Sequence, residues 1–192
     1  MCAIEAGRRN RRVLLIEHAE KAGKKILISG GGRCNFTNLH ARPENFISAN
    51  PHFAKSALSR YTPADFIALV EQHQIPYHEK TLGQLFCDRS AHDIVTMLER
   101  ECAQANVRTL LGTRAIAVKR EGATFRVETS AGIFLSNAIV VATGGLSIPR
   151  MGARDYASYC TSLLVGCTSW FADFPLRYLR SWLRSGELAS GA

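Results

Sequence analysis

Long apolar runs are missing from this chain of 192 residues, and no segment reaches the roughly 20 apolar residues that a membrane-crossing helix requires. Its first residues, MCAIEAGRRNRR, also lack the apolar core of a secretory signal. Paired cysteine spacings are absent too. Cys2, Cys34, Cys87, Cys102, Cys160 and Cys167 stand far apart, with no Cys-x-x-Cys and no histidine spacing to complete a metal set. That argues against a structural zinc and against a disulfide framework, and makes a reducing, cytoplasmic compartment the simplest location. The positive charges are not concentrated: the 24 Lys and Arg are scattered along the chain, with no interleaved aromatic stripe. A net charge of +8 without a zinc-finger or RNA-recognition signature leads us to expect no nucleic-acid partner.

What is present is an ordinary globular composition, 46% apolar and 21% charged, enough for one sizeable domain. Residues 2–9 read as the tail of a helix that ends at Gly7 and a basic cluster. RVLLIE then reads as a short buried strand closing on Glu17. A buried parallel strand needs neighbours, and the strand that would normally precede it is not in the chain. A second aliphatic run reads as a strand that stops at three consecutive glycines, in ILISGGGRCNFTN, and a polar loop follows.

Helices come next. PHFAKSALSRY fits a short one. TPADFIALVEQHQ carries its own start signal: Thr62 as cap, Pro63 at the first helical position and Asp65 completing a capping box. Phe66, Ile67, Leu69 and Val70 then share a face. SAHDIVTMLERECAQAN repeats the device with Ser90 and Asp93, and turns Ile94, Val95, Leu98 and Cys102 inward. Beyond it, VRTLLG reads as a strand, TRAIAVKREG and TFRVETSAG alternate as a meander over about 113–135, and NAIVVATGG reads as a central parallel strand ending in a glycine corner. The texture changes after about residue 157, in a segment without lysine. Leu176, Leu179, Trp182 and Leu183 could share a face of a basic amphipathic helix lying on a membrane surface; the simpler reading is a segment that was never selected.

Three pieces carry chemistry. Glu17 ends a buried strand, where an acid commonly binds a ribose diol; the alternative is a solvated strand-end charge. In SGGGRCN, backbone amides without side chains can approach a phosphate or a flat ring, and Arg33 can neutralise negative charge; the alternative is a flexible loop. Thr143, Gly144 and Gly145 end another strand, where open α/β sheets bind ligands; the alternative is a tight turn. In this order, with a meander before the last, they describe a flavin adenine dinucleotide (FAD) site. His73, His78 and His92 have no partnered nucleophile and read as ordinary surface or core residues. Cys34, with no second cysteine at disulfide spacing, reads as a small packing residue. Asp88, Arg89 and Asp93 read as caps and solvated charges.

AGKKILISGGGRCNFTN, HEKTLGQLFCDRSAHDIVTML and IVVATGGLSIPRMGA resemble the NAD(P)/FAD-dependent oxidoreductases of the BaiN/YhiN type, from about residue 2 to Tyr156. The resemblance implies an α/β fold: a glutathione-reductase-like flavoprotein with a Rossmann-like FAD-binding domain, a parallel sheet and a small β meander. It implies that Glu17 binds the adenosine ribose, that Ser29, Gly30, Gly31, Gly32, Arg33 and Asn35 line flavin and pyrophosphate, and that Thr143, Gly144 and Gly145 close the site. A backbone contact to adenine near Ala115 and Ile116 would be consistent with it. The implied activity moves hydride from NAD(P)H through flavin to an organic small-molecule acceptor.

The chain departs from that family at both ends. The Gly-x-Gly-x-x-Gly turn that would hold the pyrophosphate is not in it, and the family pattern breaks down near Asp155. The expectation is therefore an incomplete FAD-binding domain over 1–157 and an unmatched tail over 158–192, in which a reading-frame shift would account for the change of texture. The rival reading is a non-catalytic fragment or interaction module that no longer binds FAD and self-associates through an exposed sheet edge.

Overall fold

The computed structural model describes residues 1–47, 49–50 and 52–143. The chain divides into two units, Met1–Thr113 and Arg114–Ala192. The first contains, in order, α1 (Cys2–Arg8), β1 (Leu14–Ile16), α2 (Lys24–Ile28), β2 (Asn35–Asn38), α3 (Lys55–Arg60), α4 (Pro63–Gln72), β3 (Tyr77–Glu79), β4 (Gln84–Cys87), α5 (Ala91–Gln104) and β5 (Arg108–Leu110).

Two small sheets organise this unit. β1 and β5 pair in parallel, with Leu14, Leu15 and Ile16 opposite Arg108, Thr109 and Leu110. β4 lies between β2 and β3 and is antiparallel to both, with a bulge in β2 between Asn35 and Thr37. The core lies between that second sheet and the helices: Cys34, Leu69, Val70, Ile75, Cys87, Ala91, Ile94 and Met97 are buried together, and Ile26, Leu27, Phe36, Phe66, Tyr77 and Leu98 pack against them. Phe36 holds the seam, its ring 6.0 Å from Phe66 on α4 and 5.4 Å, edge-on, from Tyr77 on β3.

The expected helix starts are present. Thr62 Oγ1 accepts from the Asp65 amide at 3.2 Å while the Asp65 carboxylate accepts from the Thr62 amide at 2.7 Å, a reciprocal box that satisfies two amides the helix itself cannot. Ser90 caps α5 by accepting from the His92 amide at 3.2 Å. Gly7 explains how closely α1 rests on the end of α5: a Cβ there would lie 2.2 Å from the Ala105 carbonyl oxygen.

Three expectations are corrected. The aliphatic run before the glycines is not a strand but α2, because three apolar residues fit a helix turn as well as a strand and only packing decides. Ile26 and Leu27 reach the core, while Ile28 is exposed. The expected polar loop contains β2, which borrows its order from β4. Residues 138–143, expected as a central parallel strand, have no regular structure. Such a strand takes hydrogen bonds on both edges, and none of the three sheets among the described residues includes this segment as a strand.

In the second unit β6 (Ala115–Glu121), β7 (Thr124–Thr129) and β8 (Gly132–Ser136) form the expected antiparallel meander. Alternation is clean on β7: Phe125, Val127 and Thr129 are buried, and the residues between them are half-buried.

Candidate functional site

Glu17 stands directly after β1, at the carboxyl end of the parallel pair. Its amide donates to the Leu110 carbonyl at 2.9 Å and its own carbonyl accepts from the Thr113 amide at 3.0 Å, so the backbone is fixed from two sides by the end of β5 and the turn that follows it. On the carboxylate, Oε1 receives the Ala19 amide and lies against His18 Nδ1, both at 2.9 Å. Oε2 is left for a further donor, and the residue is half-buried. An acid held this way, with one oxygen committed and one open, suits a ribose diol.

The glycine loop is built to leave space. Gly30, Gly31 and Gly32 have φ of 56°, 67° and 88°, which side-chain-bearing residues rarely adopt. Their reasons differ. A Cβ on Gly30 would lie 2.6 Å from the Phe86 ring, so this glycine serves internal packing. A Cβ on Gly31 or Gly32 would meet nothing within 4 Å. Those two expose bare backbone on the outside, where a ligand can approach more closely than any side chain would permit. Arg33 is exposed beside them, and among the described residues no carboxylate pairs with it.

Ser29 and Asn35 are turned to local structure. Ser29 Oγ donates to the Ile26 carbonyl at 2.9 Å and also bonds the Cys34 thiol. The Asn35 amide, oriented as its surroundings demand, donates to the Thr37 and Leu85 carbonyls at 3.0 and 3.3 Å across the bulge. Thr143 is exposed and belongs to the second unit, as do Ala115 and Ile116 on β6. Gly144, Gly145 and the segment 158–192 lie outside the described residues.

Sequence reasoning missed three arrangements. Cys34 and Cys87 are buried neighbours in one core cluster, brought together across β2 and β4. Burial raises the Cys34 thiol, opposed by the Ser29 hydrogen bond, and raises Cys87 to about 12, with Cys34 adding to the effect. Glu101, 2% exposed, accepts from His73 Nε2 at 2.7 Å and pairs with Arg8. Its signal was the spacing, since Glu101 falls on the same helical stripe as Ile94 and Met97. His78 Nδ1 meets Asp88 at 2.6 Å, and its ring stacks on Phe86, which Lys80 also covers. None of the three was readable as a pair, because each is formed by residues from different elements.

A parallel pair joined through a chain of intervening helices, with a strand-end acid and a glycine loop in the same unit, is an α/β arrangement of the Rossmann class. The chain belongs to the HI0933-like protein Rossmann domain family, whose model matches residues 1–163. It is 50% identical over 155 residues to the ribosomal RNA dihydrouridine synthase of Escherichia coli (strain K12), covering 81% of this chain and 39% of that one. The enzyme of the same name from Haemophilus influenzae is 45% identical over 159 residues, 81% of this chain and 40% of its own. The 3-dehydro-bile acid delta(4,6)-reductase of Clostridium scindens is 27% identical over 159 residues, 82% of this chain and 38% of its own. The chain thus spans about two fifths of the length of these curated relatives. Among solved structures, L-proline dehydrogenase from P. horikoshii aligns with a TM-score of 0.49 at 12% identity, covering 80% of this chain and 52% of that one. Glycine oxidase from Geobacillus kaustophilus aligns at 0.46 and 17%, covering 79% and 54%. No helix among the described residues is long and apolar enough to cross a membrane.

Proposed function

We propose that this chain is the FAD-binding part of an oxidoreductase that reduces a carbon–carbon double bond of a uridine base in ribosomal RNA, with NAD(P)H as electron donor. The observation that carries the reading is the 50% identity over 155 residues with a ribosomal RNA dihydrouridine synthase, beside a family match over residues 1–163 that includes the acid, the glycine loop and Arg33. The reading differs from the small-molecule acceptor expected from the sequence, and the relative's name is what supports it.

The residues fit the cofactor. Glu17 Oε2 would hold the adenosine ribose, the bare backbone of Gly31 and Gly32 would lie against pyrophosphate or ring, and Arg33 would offset phosphate charge. When bound, the flavin supplies the hydride, and a proton completes the conversion of uridine to dihydrouridine. The protein's part is to hold the nucleotide by its diol and phosphates and to keep side chains out of the plane the ring needs. Cys34 and Cys87 keep their protons at neutral pH because both thiols are raised by burial, so they serve the core beside the loop.

The test is FAD binding to the purified full chain by flavin fluorescence, followed by NAD(P)H-dependent bleaching in the presence of unmodified ribosomal RNA. Retention of FAD with formation of dihydrouridine is the expected result; a chain that leaves FAD in the filtrate overturns the assignment. A second reading, reduction of a small unsaturated ketone, is favoured by the Clostridium scindens relative. Turnover of such a ketone with no RNA modification would decide for it.

A further inference from the structure

The first unit carries a cationic surface that the cofactor site does not use. α1 ends in a tight turn: Arg11 donates its amide to the Ala6 carbonyl at 3.1 Å and Asn10, at φ 59°, donates to Gly7 at 2.8 Å. This turn presents Arg9, Arg11 and Arg12 ahead of β1. Arg108 opens the neighbouring strand, donating its amide to the Val13 carbonyl at 3.0 Å and standing opposite Leu14. Local sequence alone would not have joined Arg108 to the group; the parallel register does. All four side chains are exposed.

Arg8, still inside the helix, pairs with two carboxylates, Glu5 at 3.0 Å and Glu101. Among the described residues no carboxylate pairs with Arg9, Arg12 or Arg108. Like charges on neighbouring stretches of backbone repel one another, and the favourable field at the end of a helix falls off within its last turn. That field accounts for Arg8 but not for residues beyond the turn or on a second strand. The side chain used is also consistently arginine, whose planar fork matches two phosphate oxygens.

We propose that Arg9, Arg12 and Arg108, with Arg11 beside them, form a docking surface for the phosphate backbone of the substrate RNA. The inference rests on the reading of ribosomal RNA as substrate. The surface lies at the amino end of the parallel pair, opposite the end where Glu17 stands, about 15 Å away along an extended strand. It grips RNA remote from the reacting base and reads no sequence there.

The test is binding of deproteinised, labelled bacterial ribosomal RNA to the full chain across a salt series. Each phosphate contact adds about 0.7 to 0.9 to the slope of log affinity against log salt. The variant Arg9→Ala/Arg12→Ala/Arg108→Ala is expected to lower that slope by about 2 to 3 and to weaken binding at least tenfold at low salt. Replacement of the same three by Lys should keep most of the slope, and Lys119→Ala/Arg120→Ala on β6 should leave it unchanged. The single variant Arg12→Glu serves if the triple one fails to fold, as judged by circular dichroism. Wild-type slope and affinity in a folded triple variant, or in a folded Arg12→Glu, overturn the surface and leave the RNA reading standing. Absence of any salt-dependent RNA binding by the wild-type chain overturns that reading as well. Loss of binding to phosphatidylserine vesicles with unchanged RNA binding assigns the arginines to a membrane and also overturns the proposal.

Discussion

Glu101 on α5 accepts a hydrogen bond from His73 at the end of α4, at 2.7 Å, and the same carboxylate holds Arg8 of α1, so one buried acid ties three helices together. A buried charge is tolerated only while its partners remain. The variant Arg8→Met/His73→Leu should therefore lose about 3 to 5 kcal/mol in urea unfolding. Adding Glu101→Met should recover most of that loss, because the orphaned charge is gone. A further decrease on adding the third substitution would show that the carboxylate is not the source of the cost.

The glycines of the loop should separate into two kinds. Gly30→Ala strains the backbone and drives a methyl into Phe86, so it should destabilise the fold by a few kcal/mol. Gly31→Ala meets open space and should cost about 1 to 2 kcal/mol from its left-handed backbone alone. Its larger effect should fall on FAD affinity. Equal melting temperatures for the two variants would contradict this division.

Thiol chemistry offers a pH test. With the pKa of Cys87 at about 12 and that of Cys34 raised, the reactive thiolate of either is scarce at neutral pH and appears only as pH climbs toward the raised value. Cys2 is exposed. Iodoacetamide labelling followed by peptide mass spectrometry should modify Cys2 at least tenfold faster than Cys34 or Cys87 at pH 8. Comparable rates in the folded protein would mean that the core around β4 opens.

Acid should act through Asp65. The hydrogen bonds it receives from Thr62 hold its carboxyl below the ordinary carboxylate range, so its contribution to stability is complete above the unfolded value near 3.9. It is lost as pH falls through the lowered folded value. Urea midpoints of wild type and Asp65→Asn should differ by a constant amount above about pH 5 and converge at lower pH. A gap that widened with acid would reverse the assignment.

Ser90→Ala, which removes the cap of α5, should cost about 0.5 to 2 kcal/mol, since α5 supplies Ile94, Met97 and Glu101 to the core. An unchanged urea midpoint would mean that the His92 amide finds another acceptor.

What was legible in the sequence is what is decided locally. Thr62, Pro63 and Asp65 specify a helix start within four residues, and the alternation of Phe125, Val127 and Thr129 specifies a half-buried strand within five. β2 and β3 were not legible, since NFTN and YHE carry no period of their own and become strands only by pairing with β4. ILI was misread for the same reason: whether such a run turns as a helix depends on what it packs against. Asn35 shows the limit for the site. The resemblance implied that it lines the cofactor, and no local pattern told that the bulge in β2 also turns its amide to the Thr37 and Leu85 carbonyls.

The pairing of β1 with β5 carries a consequence for how the chain is made. Leu14, Leu15 and Ile16 leave the ribosome early, yet their partners are Arg108, Thr109 and Leu110. During synthesis the edge of β1 that takes β5 waits while the second sheet and α5 assemble from contacts close in sequence, and only then does the distant register close. Until then its edge is open to any other extended chain nearby, which makes rapid completion of the α5–β5 segment the step that separates folding from aggregation.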